Sequence, residues 1–483
     1  MEVPAHTISH LLIHPVDQGV PAMLTIHSNS PQTNCAGMTR RAALRAGVLS
    51  LTGLTLSDYF RLQATQPTTG SGEKSIILIW LDGGPSHLET FDPKPEAPEE
   101  YRGPFGVCRT AIPAVCVSEL MPGVAQRIRK VALLRSLHHD NGDHFAAAHW
   151  MTTGRLGSNS VNLPQKYPSI GSYVARIQGP RKAGLPPYVG LPSAETVYLF
   201  PGYMGPAYLG GAYGPFDVDR ENKYLGATDT RPIRAPKWLR HLSGSAEAAT
   251  QVQERQHLLQ AFDTLRRDID QSGVMQSMDQ FQQQALDLML GSQARLAFDI
   301  EREPAKLAER YGANAWGRYT LMARRLVEAG VRFVTVDMPH WDDHSSLHRG
   351  HGTKVPVVDR AVSALLDDLE VRGLLDQTLV IVMGEFSRTP RINKGLPNDP
   401  VPGRDHWGNA ISVLLAGGGI PGGVVVGTTN ARGEHPVQQA VTPQNLHATI
   451  YHHLGIDPNL TFKDHTGRPI PILDDPTPIR ELM

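Results

Sequence analysis

Short apolar segments separated by helical patterns restrict the folds that this chain can adopt more than any other feature of its sequence. The first, at 75–81, is SIILIWL and has no polar residue after its opening serine. Such a run is typical of a strand that is buried on both faces, as strands of parallel sheets are. We therefore predict an α/β fold with a mostly parallel central sheet and helices on both faces. Further strands are predicted at 131–137, 331–336, 378–383, 411–415 and 423–426.

Side chains that bind metals lie at the ends of these predicted strands. Asp82 follows the first strand, and Glu385 follows the strand at 378–383. Because the carboxyl ends of parallel strands meet at one edge of a sheet, we expect such residues to converge there. Carboxylates mixed with imidazoles suit Zn, Mn, Fe, Mg or Ca, so we predict one or two divalent metal ions. The predicted ligands are Asp82, His144, Asp337, His340, His344, Glu385 and His406.

The segment 337–344, DMPHWDDH, offers more ligands than one site needs. Its pattern does not distinguish which of its side chains face the predicted metal. The alternatives left open are Asp337, His340, Asp342, Asp343 and His344.

Composition excludes some partners. The chain has 483 residues, of which 40% are hydrophobic, so it can bury a large core. Its formal net charge of −1 gives no global electrostatic reason to expect a nucleic acid or an anionic membrane as partner. We therefore predict no nucleic-acid partner.

The front of the chain has the pattern of an export signal. A twin arginine, Arg40-Arg41, precedes a mild apolar run, which predicts a twin-arginine signal peptide at 38–66. Residues 1–37 form an extension before it, and Met38 is an alternative start of translation. The apolar run is too short to cross a bilayer, so we predict no integral membrane span in the mature chain. Export would take the protein to the periplasm or the outside of the cell, although an amphipathic helix of the mature protein is the alternative.

The remaining chain is predicted to be one domain, at 74–475, with an insertion. Between about 243 and 311 the apolar residues recur at helical spacing, as in the stripe Leu258, Phe262, Leu265 and Ile269. This region is predicted to be a helical insertion.

Cys108 and Cys116 are the two cysteines of this domain. They flank a turn that contains proline. In an oxidising compartment they could form a disulfide across a hairpin, and two free thiols are the equal alternative.

The segment at 143–155, DHFAAAHWMTTGR, resembles the nucleophile segment of sulfatases and alkaline phosphatases. In those enzymes a polar loop leads into a small-residue helix that ends in Thr-Gly-Arg. When Thr153-Gly154-Arg155 is aligned with that ending, His144 occupies the position of the modified Cys, Ser or Thr nucleophile. Glu385 similarly takes the place of a metal-binding Asp, and Asp82 and His406 match two further ligands of the superfamily.

The motifs LDGG at 81–84, GEFSRTP at 384–390 and GRDHW at 403–407 make a narrower family resemblance. Together with the leader, they resemble the exported domain-of-unknown-function family 1501, which is sulfatase-like. The resemblance implies an alkaline-phosphatase-like sandwich as the fold.

The resemblance implies a metal-dependent hydrolase of sulfate or phosphate esters that uses metal-activated water. His144 would be an extra metal ligand, a nucleophile through a ring nitrogen, or a remnant in a protein without catalysis. Arg155, Arg388 and Arg404 would hold the anionic ester, with Arg155 and Arg388 joining His144 in the catalytic site. For each arginine, a structural ion pair is the equal alternative. The implied partner is a small anionic ester or a sulfated polysaccharide. The alternative is a non-catalytic exported binding or assembly protein that retains the fold.

Overall fold

The computed structural model describes residues 74–157, 165–182, 184–194, 196–197, 200–201, 204–222, 225–233 and 292–483. All of them belong to one compact unit, Ser71–Met483. The predicted extension at 1–37, the predicted signal peptide at 38–66 and most of the predicted helical insertion at 243–311 lie outside the described residues. The domain continues beyond its predicted end at 475, because Leu482 is buried in the core.

An eight-stranded sheet forms the centre of the described unit. Its order is β8-β2-β7-β6-β1-β5-β3-β4, and β7 is antiparallel to both of its neighbours while the other pairs are parallel. The prediction of a mostly parallel central sheet is therefore confirmed. The strands are β1 Ser75–Trp80, β2 Val131–Leu137, β3 Tyr188–Leu191, β4 Phe216–Asp217, β5 Phe333–Asp337, β6 Thr378–Met383, β7 Ile411–Ala416 and β8 Val425–Val426.

The reversed direction of β7 decides where its preceding loop lies. β6 ends at the same sheet edge at which the antiparallel β7 begins, so the segment 384–410 never crosses the sheet. Residues that follow β6 and residues that precede β7 thus meet at the edge where the parallel strands end. This places Glu385 and His406 at one edge.

Helices cover both faces of the sheet, as predicted. Ile77 and Ile79 of β1 point into a core formed with α2, α5, α7 and α8, whereas Ile76 and Leu78 point into a core formed with α3, α4 and α9. This alternation follows from the period of two along a strand. The helices are α1 Glu99–Arg102, α2 Pro122–Gln126, α3 His144–Thr153, α4 Ile170–Gln178, α5 Ser292–Phe298, α6 Ala305–Tyr311, α7 Ala315–Ala329, α8 Leu347–Val371 and α9 Pro443–His453.

Two regions differ from what the pattern predicts. The segment 185–230 has no clear period and is expected to be loop, but the short strands β3 and β4 extend the sheet there. The helix expected at 357–372 begins at Leu347 instead. Pro356 lies inside that helix, and Gly350 and Gly352 precede it, so its first turns lack an ordinary helical composition.

The remaining regular elements are short. No helix among the described residues is both long enough and apolar enough to span a membrane. Outside the central sheet, the two-residue and three-residue strands of the described residues form five two-stranded antiparallel sheets: Val107–Arg109 with Cys116–Ser118, Thr196–Val197 with Phe200–Pro201, Ser387–Arg388 with His406–Trp407, Thr428–Thr429 with Pro436–Gln438, and Thr461–Lys463 with Pro469–Pro471. Single 3₁₀ turns occur at Ile128–Lys130, Ala207–Leu209, Gly211–Tyr213, Arg220–Asn222, Ile300–Arg302, Leu375–Gln377 and Arg480–Leu482.

Both cysteines of the first hairpin are free thiols. Cys108 lies opposite Val117, and Cys116 lies opposite Arg109. The two cysteines are thus offset by one residue across the pair, so their side chains point to opposite faces of the hairpin. Of the two alternatives, the structure has the free thiols.

Candidate metal centre

Three buried carboxylates lie together at the sheet edge. Asp82 follows β1, Asp337 ends β5 and Glu385 follows β6, and β1 lies between the other two strands. Their exposed fractions are 3%, 1% and 0%. We call these three residues the carboxylate cluster. The structure thus brings together three of the predicted ligands from distant parts of the chain.

Asp337 is the carboxylate with the fewest partners. Among the described residues, neither of its side-chain oxygens has a hydrogen-bond partner. Burial, together with the negative charges of Asp82 and Glu385, raises the pKa of Asp337 well above its ordinary value. A buried carboxylate without a partner is costly unless it is protonated or bound to a cation. The surroundings of Asp337 therefore fit a bound cation.

The turn after Asp82 holds Glu385. The backbone N–H of Gly83 donates to both carboxylate oxygens of Glu385, at 2.9 and 3.1 Å. Gly83 has φ of +108°, and a Cβ there would lie 2.7 Å from the backbone nitrogen of Trp341. Only glycine fits this close approach without strain. The LDGG motif thus packs the first strand end against the loop after β5.

Four further residues form a second, partly exposed group, which we call the histidine cluster: His144, Asp342, His344 and His406. Oδ1 of Asp342 accepts from Nε2 of His344 and Nε2 of His406, both at 3.0 Å. Oδ2 of Asp342 lies 3.4 Å from Nε2 of His144. One ligand atom from each of His144, Asp342 and His406 lies within 4.8 Å of the other two. The cluster therefore has the spacing of a metal site.

The other ring nitrogen of each histidine is held by an oxygen. Nδ1 of His144 donates to Glu385 at 2.6 Å. Nδ1 of His344 donates to Asp405 at 2.8 Å, and Nδ1 of His406 donates to the Gly142 carbonyl at 2.7 Å. Metal-binding histidines are commonly oriented in this way, with Nδ1 donating and Nε2 facing the ion. All three Nε2 atoms here face Asp342.

Helix α3 positions His144. Asp143 caps the helix by accepting from the backbone N–H groups of Phe145 and Ala146, and His144 is the first helical residue. The helix ends at Gly154 in the left-handed region, as the Thr-Gly-Arg ending predicts. His144 contacts both the carboxylate cluster and the histidine cluster through its two ring nitrogens.

Hydrogen bonding shifts the titration of this cluster strongly. Burial opposes ionisation of Asp342, but hydrogen bonds from the three histidines and the charge of Arg388 hold its pKa well below its usual range. Burial likewise opposes protonation of His144, yet hydrogen bonds to Asp342 and Glu385 raise its pKa to about 10. The hydrogen bond to Asp342 also raises the pKa of His344. Without a bound cation, the cluster is thus a network of ion pairs.

The structure places two of the predicted residues elsewhere. His340 has a left-handed φ of 78°, and its carbonyl accepts a hydrogen bond from Lys354. The metal-spaced group among the described residues contains Asp342 and leaves out His340. Arg155 lies at the opposite end of α3 from His144, about 15 Å away at 1.5 Å per residue. Its guanidinium donates to Asp474 at 2.7 Å, so the structure does not bring it to the clusters.

Arg388 is at the site but has no exposed surface. Its side chain is 0% exposed, and it donates to the carbonyls of Gly83 and Gly84 and to Asp342 at 2.7 Å. These contacts fix the glycine turn and orient Asp342. In the structure the Arg388 guanidinium thus points at the glycine turn and at Asp342, and its contact with an ester stays a prediction.

Asp342 is the residue that the sequence analysis left undecided and that the structure puts at the centre. The sequence signal that could have favoured Asp342 is the adjacent pair Asp342-Asp343. Neighbouring carboxylates in a turn point to different partners, so one of the two was free to face the histidines. Asp343 accepts from Lys354 at 2.8 Å and lies 2.8 Å from Nδ1 of His351, so it belongs to the buried support of the loop.

The two clusters suit different cations. The carboxylate cluster offers hard oxygen ligands, which Mg, Ca and Mn prefer. The histidine cluster mixes imidazole nitrogens with one carboxylate, which suits Zn, Fe or Mn. The donor sets present therefore fit divalent cations at two adjacent positions.

Comparison with solved structures finds remote matches. A sulfatase from Pseudoalteromonas sp. is 11% identical, with 86% of this chain and 72% of that chain covered and a TM-score of 0.35. A protein in the alkaline phosphatase superfamily from Vibrio parahaemolyticus is also 11% identical, with 83% and 74% covered and a TM-score of 0.35. A lipoteichoic acid synthase from Listeria monocytogenes is 10% identical, with 84% and 76% covered and a TM-score of 0.37. Scores of this size carry no conclusion about activity.

Sequence comparison gives a family but no characterised relative. None of the curated proteins matches the chain at a significant level. A family model does match most of the chain, over the whole described unit and including both clusters. The chain belongs to the family described as "Protein of unknown function (DUF1501)", whose model matches residues 73–483.

Proposed function

We propose that this protein is a metal-dependent hydrolase of sulfate or phosphate esters. The observation that carries the proposal is the position of His144 between two groups of ligands. Its Nδ1 lies 2.6 Å from Oε1 of Glu385, and its Nε2 lies 3.4 Å from Oδ2 of Asp342. Two adjacent ligand sets suit two-metal hydrolysis, in which the cations stabilise the attacking and the leaving oxygens.

The carboxylate cluster would hold one cation, and the histidine cluster would hold the other. Divalent cations, when bound, lower the pKa of water and neutralise charge on the oxygens of a sulfate or phosphate ester. The candidate cations are Zn, Mn, Fe, Mg and Ca.

The chain's own residues then orient the reacting groups. His144 replaces the hydroxyl or thiol of the related enzymes, so the attacking oxygen comes from water. Glu385 holds Nδ1 of His144, which leaves Nε2 as the atom that binds a cation or moves a proton. Arg388 keeps Asp342 in place through the ion pair at 2.7 Å. The proposed substrate is a small anionic ester or a sulfated polysaccharide.

One observation favours a second candidate, an exported binding or assembly protein without catalysis. The position of the nucleophile carries an imidazole that is already engaged by Glu385 and Asp342. Such a residue could support a structural metal as well as a catalytic one. The two candidates differ in turnover and agree in metal content.

The decisive experiment measures metal content and hydrolysis together. Elemental analysis of the purified protein should find bound divalent cations, and aryl sulfate or aryl phosphate should be hydrolysed. Glu385→Gln and Asp337→Asn should each weaken metal binding by about 100-fold or more, because each removes a ligand charge. Asp457→Asn is the matched control, because Asp457 is an exposed carboxylate far along the chain.

The outcomes separate the candidates. A fully metal-loaded protein that turns over no ester in a broad panel would favour the binding protein. Retention of full metal content in Glu385→Gln and Asp337→Asn would remove the proposed metal site from both.

We also propose that the twin-arginine signal exports the protein to the periplasm or the outside of the cell. Replacing Arg40-Arg41 by Lys-Lys should leave unprocessed precursor inside the cell, as shown by fractionation and immunoblotting. Normal processing of that variant would contradict the proposal.

A further inference from the structure

An open groove borders the histidine cluster. Its volume is about 770 Å³, which is within the usual range of ligand sites. Its wall is formed by the end of α1, by the segment after β6 and by the residues just before β7. The residues that matter below are Tyr101, Arg391, Asn393, Lys394, Asp405 and Trp407.

The groove and the cluster share a wall. Asp405 lines the groove, and its carboxylate accepts from Nδ1 of His344 at 2.8 Å. Trp407 also lines the groove and directly follows His406. Asp405 is therefore a direct contact between the groove wall and the cluster.

The groove is preformed by backbone contacts. The Asn393 amide donates to the His344 carbonyl at 3.0 Å, and its oxygen accepts from the backbone N–H groups of Gly395 and Gly403 at 2.8 and 2.9 Å. The indole N–H of Trp407 donates to the Glu434 carbonyl at 2.8 Å. These bonds hold the groove wall, so a ligand would meet an ordered surface with little ordering cost.

The polar groups of the groove favour an anionic ligand. Arg391 and Lys394 are exposed, and neither has an ion-pair partner among the described residues. Their donors are thus available for sulfate or phosphate oxygens. Tyr101 and Trp407 add amphipathic rings to the same wall. Apolar ring faces beside polar donors match a sugar, which has apolar C–H faces and polar edges.

The charge pattern does not suit a nucleic acid. Asp405 and Glu434 line the same groove as the two cations, so its formal charge is close to balanced. Binding to nucleic acid relies on a continuous basic track that follows the phosphates. Two cations interrupted by two carboxylates instead match a chain whose anionic groups are spaced apart.

We infer that this groove binds a sulfated oligosaccharide and leads one of its sulfate esters to the histidine cluster. This inference rests on the proposed function, because it selects a polymer over a small ester as the substrate. Arg391 and Lys394 contact sulfate groups on sugar units beside the one that reacts, and Trp407 packs against a sugar ring.

The test is isothermal titration calorimetry with the full chain and size-matched dextran sulfate and dextran oligosaccharides. We expect wild type to bind dextran sulfate, with an affinity that falls as salt rises, and to bind unsulfated dextran weakly. The double variant Arg391→Gln/Lys394→Gln should bind dextran sulfate about tenfold more weakly, since two exposed ion pairs are lost. The matched control, Lys463→Gln/Arg480→Gln, removes two exposed cations outside the groove and should bind as wild type does.

The inference would be overturned by wild-type affinity in the double variant, by equal binding of dextran and dextran sulfate, or by binding of oligothymidylate as tight as that of dextran sulfate. The last result would identify a nucleic-acid or general polyanion surface. A shared loss of affinity in the control double variant would likewise place binding outside the groove.

The experiments give different results if the groove does not bind the oligosaccharide and if the protein is not a hydrolase. Sulfate-dependent binding with no hydrolysis of any ester would leave the groove assignment standing and remove the hydrolase. Hydrolysis of small aryl esters without binding of dextran sulfate would do the reverse.

Discussion

The carboxylate cluster and the histidine cluster lie side by side but differ in how their charges are balanced. In the first, three buried carboxylates approach one another, and Asp337 has no hydrogen-bond partner among the described residues. In the second, Asp342 is shared by three histidines and by Arg388. The chain thus supplies positive charge to one cluster and leaves the other with an excess of negative charge.

This difference shows which cluster depends more on a cation. The histidine cluster can satisfy its own charges by protonation, so it can persist without metal. The carboxylate cluster can only take up a proton or a cation, because its neighbours repel ionised Asp337. The effects of chelation and of removing a carboxylate on the stability of the protein should therefore be opposite for the two clusters.

The largest effect should come from chelating the metal. With free cation at a thousandfold excess over the dissociation constant, binding should stabilise the wild-type protein by about 4 kcal/mol. Asp337→Asn should lose most of this gain, while its chelated form should be at least as stable as chelated wild type. Chemical denaturation with and without chelator measures both. A chelated Asp337→Asn protein less stable than chelated wild type would contradict the account of this cluster.

The next effect concerns pH in the chelated protein. The pKa of His144 is raised to about 10 in the folded protein. Its contribution to the stability of the folded state is therefore fully present below the pKa of His144 in the unfolded chain, and it is lost as pH rises towards 10. The loss due to His144 should be roughly 4 kcal/mol between pH 6.5 and 10. The slope should be shallower in His144→Gln, as measured by denaturation at several pH values, and the part that remains belongs to His344 and Asp337, whose pKa values are also raised.

His447 provides the control for this pH series. It is completely buried, and burial lowers its pKa to about 4, so it stays neutral above pH 6.5. His447→Gln should therefore retain the wild-type pH slope. A flat slope in chelated wild type would show that His144 is not the titrating group.

A smaller effect, of opposite sign to that of Asp337→Asn, is expected for Asp342→Asn. This change leaves the buried Arg388 without its carboxylate, which should destabilise the chelated protein by about 2 kcal/mol. Denaturant unfolding of the chelated proteins measures the difference. Asp405→Asn is the control, since Asp405 is 53% exposed and should cost less than about 1 kcal/mol. If Asp337→Asn and Asp342→Asn changed the free energy of unfolding of the chelated protein equally, the distinction between the two clusters would be wrong.

The smallest effect is expected at Arg155, outside both clusters. Arg155→Gln breaks the ion pair with Asp474, whose side chain is 60% exposed, so the loss should be about 1 kcal/mol or less. Metal content should match wild type in elemental analysis. A loss of metal would show that Arg155 belongs to the site, as the resemblance to the sulfatases implies.

Much of the fold was accessible from the sequence, because strands buried on both faces are continuous apolar runs. β1, β2 and β6 lie within one residue of their predicted bounds. The convergence of Asp82, His144, Glu385 and His406 followed from their places at strand ends. Strands as short as β4 could not be recognised, since two residues carry no periodicity.

The details of the loop after β5 could not be predicted. His340 and Ser346 both have left-handed backbone angles, which no hydrophobic period signals. The tertiary packing of the loop against Gly83 and the ion pair with Arg388 together direct Asp342 to the histidines. The contacts of Arg388 could not be predicted either, because a buried guanidinium and a ligand-binding guanidinium have the same sequence signature.

The antiparallel direction of β7 has a consequence for how the protein could diversify. The connection between β6 and β7 starts and finishes at the same edge of the sheet. Between Glu385 and His406, it forms part of the groove wall. The rest of its middle portion, 389–402, can therefore change in composition while Asn393, Asp399 and both ends stay anchored. Related chains could acquire new substrate ranges by exchanging this one modular segment, and a protein engineer could do the same by grafting.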